Sequence, residues 1–317
     1  MKRKILLIGY GSIGKKHYRI LKTNFKNYNV VISSNHLKKK VNFIDKNKFY
    51  ASIVATSASK HMVELKKLIK SRTHALIEKP LSNKTINPKL KESILKKIKK
   101  DKILIQVGYC LRFHPAIKYL KNILNKIPKK KFLNISFITN SYLPNWRKGN
   151  YRKNVSVEKS RGGGVLNELS HEIDLLIYLF GKPKSLFAKI GNSKTLDLNV
   201  EDYADVIFKT KDNINLTMHI DFNSFPEKRD IEVRTKDKTI KVDLTKNIFY
   251  EFRKKNIKKK KFLLNPDYLY IKQFDHLLKK IRKKNFSHKN FIESLQVLNI
   301  IRSIRKSSQD NKIQYIL

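Results

Sequence analysis

A chain of 317 residues is long enough for two hydrophobic cores, and 40% hydrophobic with 10% aromatic residues excludes a disordered chain. The 71 Lys and Arg against 25 Asp and Glu give a net charge of +46, but the lysines run the whole length without forming one basic arm interleaved with aromatics, so they indicate a lysine-biased solvated surface rather than a specific nucleic-acid or membrane partner. The single cysteine, Cys110, excludes an intrachain disulfide and a CxxC metal site, and no apolar run reaches the ~20 residues of a membrane span or reads as a secretory signal, so a cytoplasmic location is expected.

In chain order, a buried strand at 4–8 leads into Gly9-Tyr10-Gly11-Ser12-Ile13-Gly14 and a helix at 13–23 with Ile13, Ile20 and Leu21 inward. A GxGxxG between a first strand and a first helix suits a dinucleotide. Gly9 permits the tight turn, Gly11 lets the backbone approach a pyrophosphate, and Gly14 lets helix and strand pack. The helix start at Ser12 and Ile13 offers N–H groups to the phosphates. The second strand, 29–33, ends in Ser33-Ser34-Asn35-His36 with Lys38 nearby. No carboxylate stands there to repel a 2′-phosphate, which favours NADP(H), although neutral side chains also hold NAD(H).

A short element is expected at 41–44, a strand at 52–56 and an amphipathic helix at 59–70. Small residues at the strand end, Thr56 and Ser57, let a cofactor lie flat. His61 on the helix is either a cofactor contact or an ordinary helix residue. A strand at 74–78 runs into Glu78-Lys79-Pro80. Pro80 pushes Lys79 out of helical geometry, which places an amine at the C-terminal edge of the sheet, where open α/β sheets bind ligands. A lysine so placed can give or take a proton, with Glu78 holding the strand edge or the lysine in place. A helix at 88–100 and a strand at 103–107 continue the alternation, which predicts βαβ units and a parallel sheet.

The pattern then changes. A helix at 113–126, a strand at 132–139 and a helix at 166–180 precede strand-like runs at 185–190, 203–209, 214–222, 230–235 and 239–243, whose alternation predicts an antiparallel sheet with one solvated face. Helices at 267–283 and 288–306 follow. The expected architecture is α/β. A Rossmann doubly wound parallel sheet occupies 1–118, and a C-terminal α+β domain with a mostly antiparallel open sheet occupies 119–317, its last helices able to pack back on the first domain. The densest lysine runs, Lys38–Lys40, Lys129–Lys131 and Lys258–Lys261, fall between expected elements. Asn167, His171 and Asp174, at i, i+4 and i+7, form a polar stripe on an apolar helix and call for partners or a ligand. Glu168 and Glu172 lie off that stripe, facing solvent or capping the helix start, with Glu168 also a candidate. Arg112 suits a carboxylate or phosphate of a substrate, and Trp146 beside Arg147 suits a sugar face next to an anionic group.

GYGSIG, ATSASKH, IEKPLS, RFHP at 112–115 and GGGVLNELSHEID, in that order and spacing, resemble the glucose–fructose oxidoreductase/inositol dehydrogenase (Gfo/Idh/MocA) family over nearly the whole chain. The resemblance implies a nicotinamide cofactor, a sugar-binding open sheet that often mediates oligomerisation, hence a homodimer or tetramer, and Lys79 as the catalytic lysine. The family's D-x-x-x-H falls on Asn167 and His171. An asparagine can bind a hydroxyl but cannot titrate, which leaves Lys79 and His171 as the proton-handling residues. The stretch 142–153, with SHEID, looks like relatives encoded with surface-sugar pathways. The implied activity is hydride transfer between nicotinamide and a secondary alcohol or ketone of a sugar, nucleotide sugar or cyclitol, without a metal. A non-catalytic sugar or nucleotide sensor on the same fold, and a glycosidase using transient NAD oxidation, are the alternatives.

Overall fold

The computed structural model describes residues 2–38, 41, 48–146 and 149–316, so the short element expected at 41–44 lies, apart from Val41, outside the described residues. The chain divides into two compact units, Met1–Cys110 with Pro266–Leu298, and Leu111–Asn265 with Asn299–Leu317.

In the first unit, β1 (Arg3–Ile8), α1 (Ser12–Asn24), β2 (Tyr28–Ser33), β3 (Ala51–Val54), α2 (Ala58–Lys70), β4 (His74–Ile77), α3 (Pro88–Lys100) and β5 (Ile105–Val107) alternate as expected. The five strands are parallel in the order β2-β1-β3-β4-β5. Ile5, Leu6, Leu7, Ile53, Val54, Leu76 and Ile77 are fully buried, the continuous apolar run of parallel strands covered on both faces. The order reverses at β1, with β2 on one side and β3 on the other, which puts the switch point beside the glycine-rich loop.

The second unit holds α4 (Pro115–Leu124), β6 (Phe132–Asn140), α5 (Val165–Glu168), α6 (Ser170–Phe180), β7 (Ser185–Gly191), β8 (Tyr203–Lys209), β9 (Asn215–Asp221), β10 (Lys228–Thr235), β11 (Thr239–Asp243), β12 (Ile248–Arg253) and β13 (Asn256–Lys261). With β14 (Gln314–Tyr315) they build a nine-stranded sheet, β13-β12-β11-β10-β6-β9-β8-β7-β14, in which, among the described residues, β6 and β9 alone pair in parallel. On β8, Ala204, Val206 and Phe208 face the core while Asp205, Ile207 and Lys209 are exposed, the alternation of a sheet with one solvated face. α7 (Tyr268–Arg282) returns to the first unit, where Phe274, Leu277, Leu278 and Ile281 join Ile5, Leu7, Ile53 and Leu76 in one cluster. α8 (Lys289–Asp310) contributes its start to the first unit and its end to the second.

Two expectations are corrected. The single helix over 166–180 is two, broken at Leu169 (φ −96°, ψ 26°), where the Ser170 hydroxyl donates to the Asn167 carbonyl at 2.9 Å and competes with the helical pattern. Lys258–Lys261 is not a connection but most of β13, paired residue for residue with β12 from Ile248↔Lys261 to Arg253↔Asn256. Backbone pairing there replaces apolar alternation, and an all-exposed lysine strand keeps the sheet edge from pairing with another chain. Lys260 also lies 4.7 Å from the Tyr119 ring centroid. Within the second unit Arg112 forks the Asp174 carboxylate on α6. Among the described residues no helix is long and apolar enough to cross a membrane.

Candidate active site

Because β1 to β4 run parallel, their C-terminal residues share one edge, with Ile8 opposite both Ser33 and Val54, and Val54 opposite Ile77. The residues that follow, Gly9, Ser34, Ala55-Thr56-Ser57 and Glu78-Lys79, are thereby gathered from four separate segments. Gly9 adopts φ +93°, a left-handed conformation that glycine enters freely, and its N–H donates to the Ser33 carbonyl at 2.9 Å. A Cβ on Gly14 would overlap the Gly9 carbonyl, so helix and strand approach as closely as glycine allows, whereas a Cβ on Gly11 would meet nothing within 4 Å. α1 begins at this open space with no side chain capping its first N–H groups. An unobstructed loop against an uncapped helix start fits the pyrophosphate of a dinucleotide. Ser33 and Ser34 are buried at the end of β2, and the Ser33 hydroxyl accepts from the Val41 N–H at 3.3 Å.

Two polar residues at this edge, His61 and Glu78, are buried. His61 is 1% exposed, with Nδ1 2.7 Å from the Pro80 carbonyl and Nε2 3.0 Å from the Thr56 carbonyl. It ties the loop after β3 to the turn after β4. Burial pushes its pKa down, outweighing the pull of the two carbonyls and of Glu78. Glu78 is also buried; its Oε1 accepts from His17 Nε2 at 2.7 Å and its Oε2 from the Lys79 N–H at 3.3 Å. Burial pushes the Glu78 carboxyl up, but the His17 hydrogen bond and the charges of His17, Lys79 and His61 together hold it below the usual carboxylate range. Lys79 itself is half-buried, and its peptide bond to Pro80 is cis.

In the second unit most of the polar stripe is internally satisfied. Asn167 is buried, and its amide donates to the Gly162 carbonyl at 3.2 Å and the Gly163 carbonyl at 3.4 Å, bracing the glycine-rich loop. Asp174 accepts from Arg112 Nε at 2.7 Å and Nη2 at 2.5 Å, so two residues expected against substrate are each other's partners. Glu172, expected to face solvent, is 1% exposed, lies 3.0 Å from Arg229 Nε and accepts from Thr139 Oγ1 at 3.3 Å. It lies on a helix whose residues are nearly all buried. His171 remains partly exposed on α6. The Trp146 indole N–H donates to Ser141 Oγ at 2.8 Å and its ring meets Phe222 edge-on at 5.1 Å, while Arg147 lies outside the described residues.

Sequence reasoning passed over two histidines. His17 shares the inward phase of α1 with Ile20 and Leu21, and a polar residue at a core phase was the available signal. His219 on β9 lies between Asp205 (Nδ1, 2.7 Å) and Asp221 (Nε2, 2.8 Å), and Asp221 also accepts the N–H groups of Asn223 and Ser224. The hydrogen bond to Asp221, aided by Asp205 and opposed by burial, raises the His219 pKa from 6.5 to about 9. A folded-state pKa above the ordinary value means that protonated His219 adds its full stability below pH 6.5 and loses it as pH rises through about 9. With the side chain 36% exposed, solvent screening limits this to about 1 kcal/mol or less. Wild type should therefore exceed His219→Gln in urea midpoint at neutral pH and converge with it by about pH 10. An undiminished gap at high pH would contradict the charged pair.

Residues 134–246 match the family model of the GFO/IDH/MocA C-terminal domain. Among curated proteins no sequence matches the chain. Several solved structures share the fold. The oxidoreductase domain protein from Kribbella flavida is 15% identical with a TM-score of 0.84, each chain covered over 100%. Levoglucosan dehydrogenase in complex with NADH is 16% identical with a TM-score of 0.81, again over 100% of each chain. The aldose-aldose oxidoreductase from Caulobacter crescentus, complexed with glycerol, is 15% identical with a TM-score of 0.79 over 99% of this chain and 100% of that one. At these identities the likeness is one of fold.

Proposed function

We propose, on the match of residues 134–246 to the GFO/IDH/MocA C-terminal domain, that the chain is a Gfo/Idh/MocA oxidoreductase that uses NAD(P) and moves a hydride between nicotinamide and a secondary alcohol carbon of a sugar, nucleotide sugar or cyclitol. The observation that carries this reading is the Lys79–Pro80 turn at the same sheet edge as an unobstructed glycine loop and an uncapped helix start. A nicotinamide cofactor would supply the hydride acceptor or donor. The backbone of Gly9–Gly14, with the N–H groups of Ser12 and Ile13, would hold its pyrophosphate. Ser33 and Ser34 would face its ribose, and Thr56 and Ser57 would line its path along the edge. Lys79 is the favoured residue to take the hydroxyl proton during oxidation and return it during reduction, with His171 the other proton-handling candidate. Asn167 and Asp174 are spoken for by internal bonds, which supports a scaffold role for both.

Three finer points belong to the same reading. The absence of an acidic side chain across Ser33–Lys38 supports NADP(H) over NAD(H). The likeness of 142–153 and SHEID to surface-sugar relatives supports a substrate from surface-polysaccharide synthesis. The outward face of the nine-stranded sheet, with Ile207 at 53% exposure, supports a homodimer or tetramer formed there, which sedimentation would read directly. The central test is titration with NADPH and NADH by nicotinamide fluorescence, followed by a panel of aldoses, cyclitols and nucleotide sugars read at the nicotinamide absorbance band. NADPH is expected to bind tighter. Preference for NADH would overturn the cofactor choice, and failure to bind either would overturn the function. Tightly held NAD with no net absorbance change during glycoside cleavage would replace the dehydrogenase by a glycosidase.

A further inference from the structure

Lys79 lies in a turn, past the end of β4, so its aim depends on what fixes the residue before it. The Glu78 N–H donates to the Val54 carbonyl at 2.9 Å, which ties its main chain to β3. Its carboxylate has little room. A Cβ on Gly108 would come within 3.0 Å of Glu78 Oε2 and 3.2 Å of its Cα, so glycine there lets the neighbouring strand end close on this side chain. From the other side His17 reaches in from α1, 1% exposed, with Nε2 2.7 Å from Oε1. The His17 ring is boxed by the edge of Tyr270 at 5.6 Å, and Lys16 lies 4.1 Å from that same tyrosine's ring centroid. The charged and titratable groups facing the Glu78 carboxylate are therefore His17 from α1, His61 from α2 and Lys79 beside it.

We propose that His17 is a positioning residue for Lys79, acting through the Glu78 carboxylate, whose charge and direction it holds next to the lysine. The inference rests on the reading of Lys79 as the proton-handling group. A carboxylate this deep keeps its charge only while it has donors; without them it takes up a proton or turns away. His17 supplies the shortest hydrogen bond to it, and it does so from the helix whose first turn meets the glycine loop. The same helix thus carries the expected phosphate cradle at its start and the lysine's anchor one turn later. Nothing in this role requires His17 to touch cofactor or substrate, and its burial is consistent with that.

The test needs no known substrate. Reductive methylation with formaldehyde and cyanoborohydride over about pH 7 to 11 reads the unprotonated amine of each lysine, peptide by peptide, by mass spectrometry, and exposed Lys84 and Lys89 serve as references in the same chain. In Glu78→Gln the Lys79 labelling midpoint should fall relative to the references, because the attraction between the two neighbouring side chains is lost. His17→Phe, which keeps the ring and removes the donor, should move it the same way. His17→Gln, which restores an N–H donor, should bring it at least halfway back. The double variant should add little to either single one, as for two residues acting in series. A Lys79 midpoint unmoved in His17→Phe, or moved equally in His17→Gln, would reduce His17 to packing and overturn the proposal. Should His17→Phe not accumulate as folded protein, His17→Asn, whose amide is too short to reach Oε1, takes its place. NADPH binding by fluorescence should stay within about threefold of wild type in all of them, since a collapse of the fold would abolish it. Full turnover by Lys79→Met on the sugar panel would overturn the proposed function and leave the labelling result standing, so the two failures are distinguishable.

Discussion

Lys79→Met is expected to turn over its substrate about 10²–10⁴-fold more slowly than wild type while binding NADPH within a few-fold of it. Methionine keeps the straight apolar stem, so what the substitution removes is the amine and its proton. The braces around the turn should survive. Glu78 still accepts from His17, and His61 still meets the Pro80 and Thr56 carbonyls, because none of these bonds uses the lysine amine. A loss confined to kcat is the signature of an interaction made in the transition state, whereas a raised KM at unchanged kcat would describe a lysine that only binds. Lys79→Arg separates charge from proton transfer. Guanidinium keeps the positive charge at every accessible pH and does not give up its proton, so it should be nearly as slow as methionine. Turnover within about threefold of wild type in either variant would remove Lys79 from the chemistry.

The first unit was the more legible of the two. Buried parallel strands write continuous apolar runs, and the glycine spacing after β1 has a single structural context. The second unit hid what its sequence does not pattern. β12 and β13 pair through their backbones, and NIKKKK carries no alternation to reveal a strand. The break at Leu169 was equally silent, since Asn167, His171 and Asp174 keep helical spacing across it. That break matters for the site. It leaves Asn167 in a four-residue helix bonded to its own loop.

The site divides the same way. Residue types at strand ends were readable because a parallel sheet puts every strand's C-terminal end on one edge, whatever the sequence between them. Whether a polar residue meets a ligand or another residue was not readable, because the partner lies far along the chain. Glu78 finds His17 across 61 positions, and Arg112 finds Asp174 across 62. His61 shows the limit most sharply. Its place after the β3 loop suggests a cofactor contact, yet both ring nitrogens are directed at main-chain carbonyls. Each of these pairs places a buried polar group behind the surface that the motif marks, where it shapes the surface rather than lining it.

The second large effect expected is on stability. Asp174→Ala leaves the Arg112 guanidinium, whose side chain is 10% exposed, without the carboxylate that takes its Nε and Nη2. Breaking one half of a buried pair costs about 3–5 kcal/mol, because the surviving charge keeps its desolvation penalty and loses its compensation. Arg112 has a partial alternative in the Tyr178 ring, 5.1 Å away, but that ring already takes Lys121 Nζ at 3.4 Å from its centroid, so little of the loss is recovered there. Arg112→Met with Asp174→Leu removes both charges and fills the space with apolar groups, and it should recover most of the stability lost in Asp174→Ala. Urea denaturation of the single and double variants measures this directly. The same pair of variants separates the two roles assigned to Arg112. A substrate-binding arginine would show a raised KM with stability intact, in the double variant as much as in Arg112→Met alone. A structural pair instead shows stability lost in each single variant and largely restored in the double, so that the loss in the double is well below the sum of the two single losses.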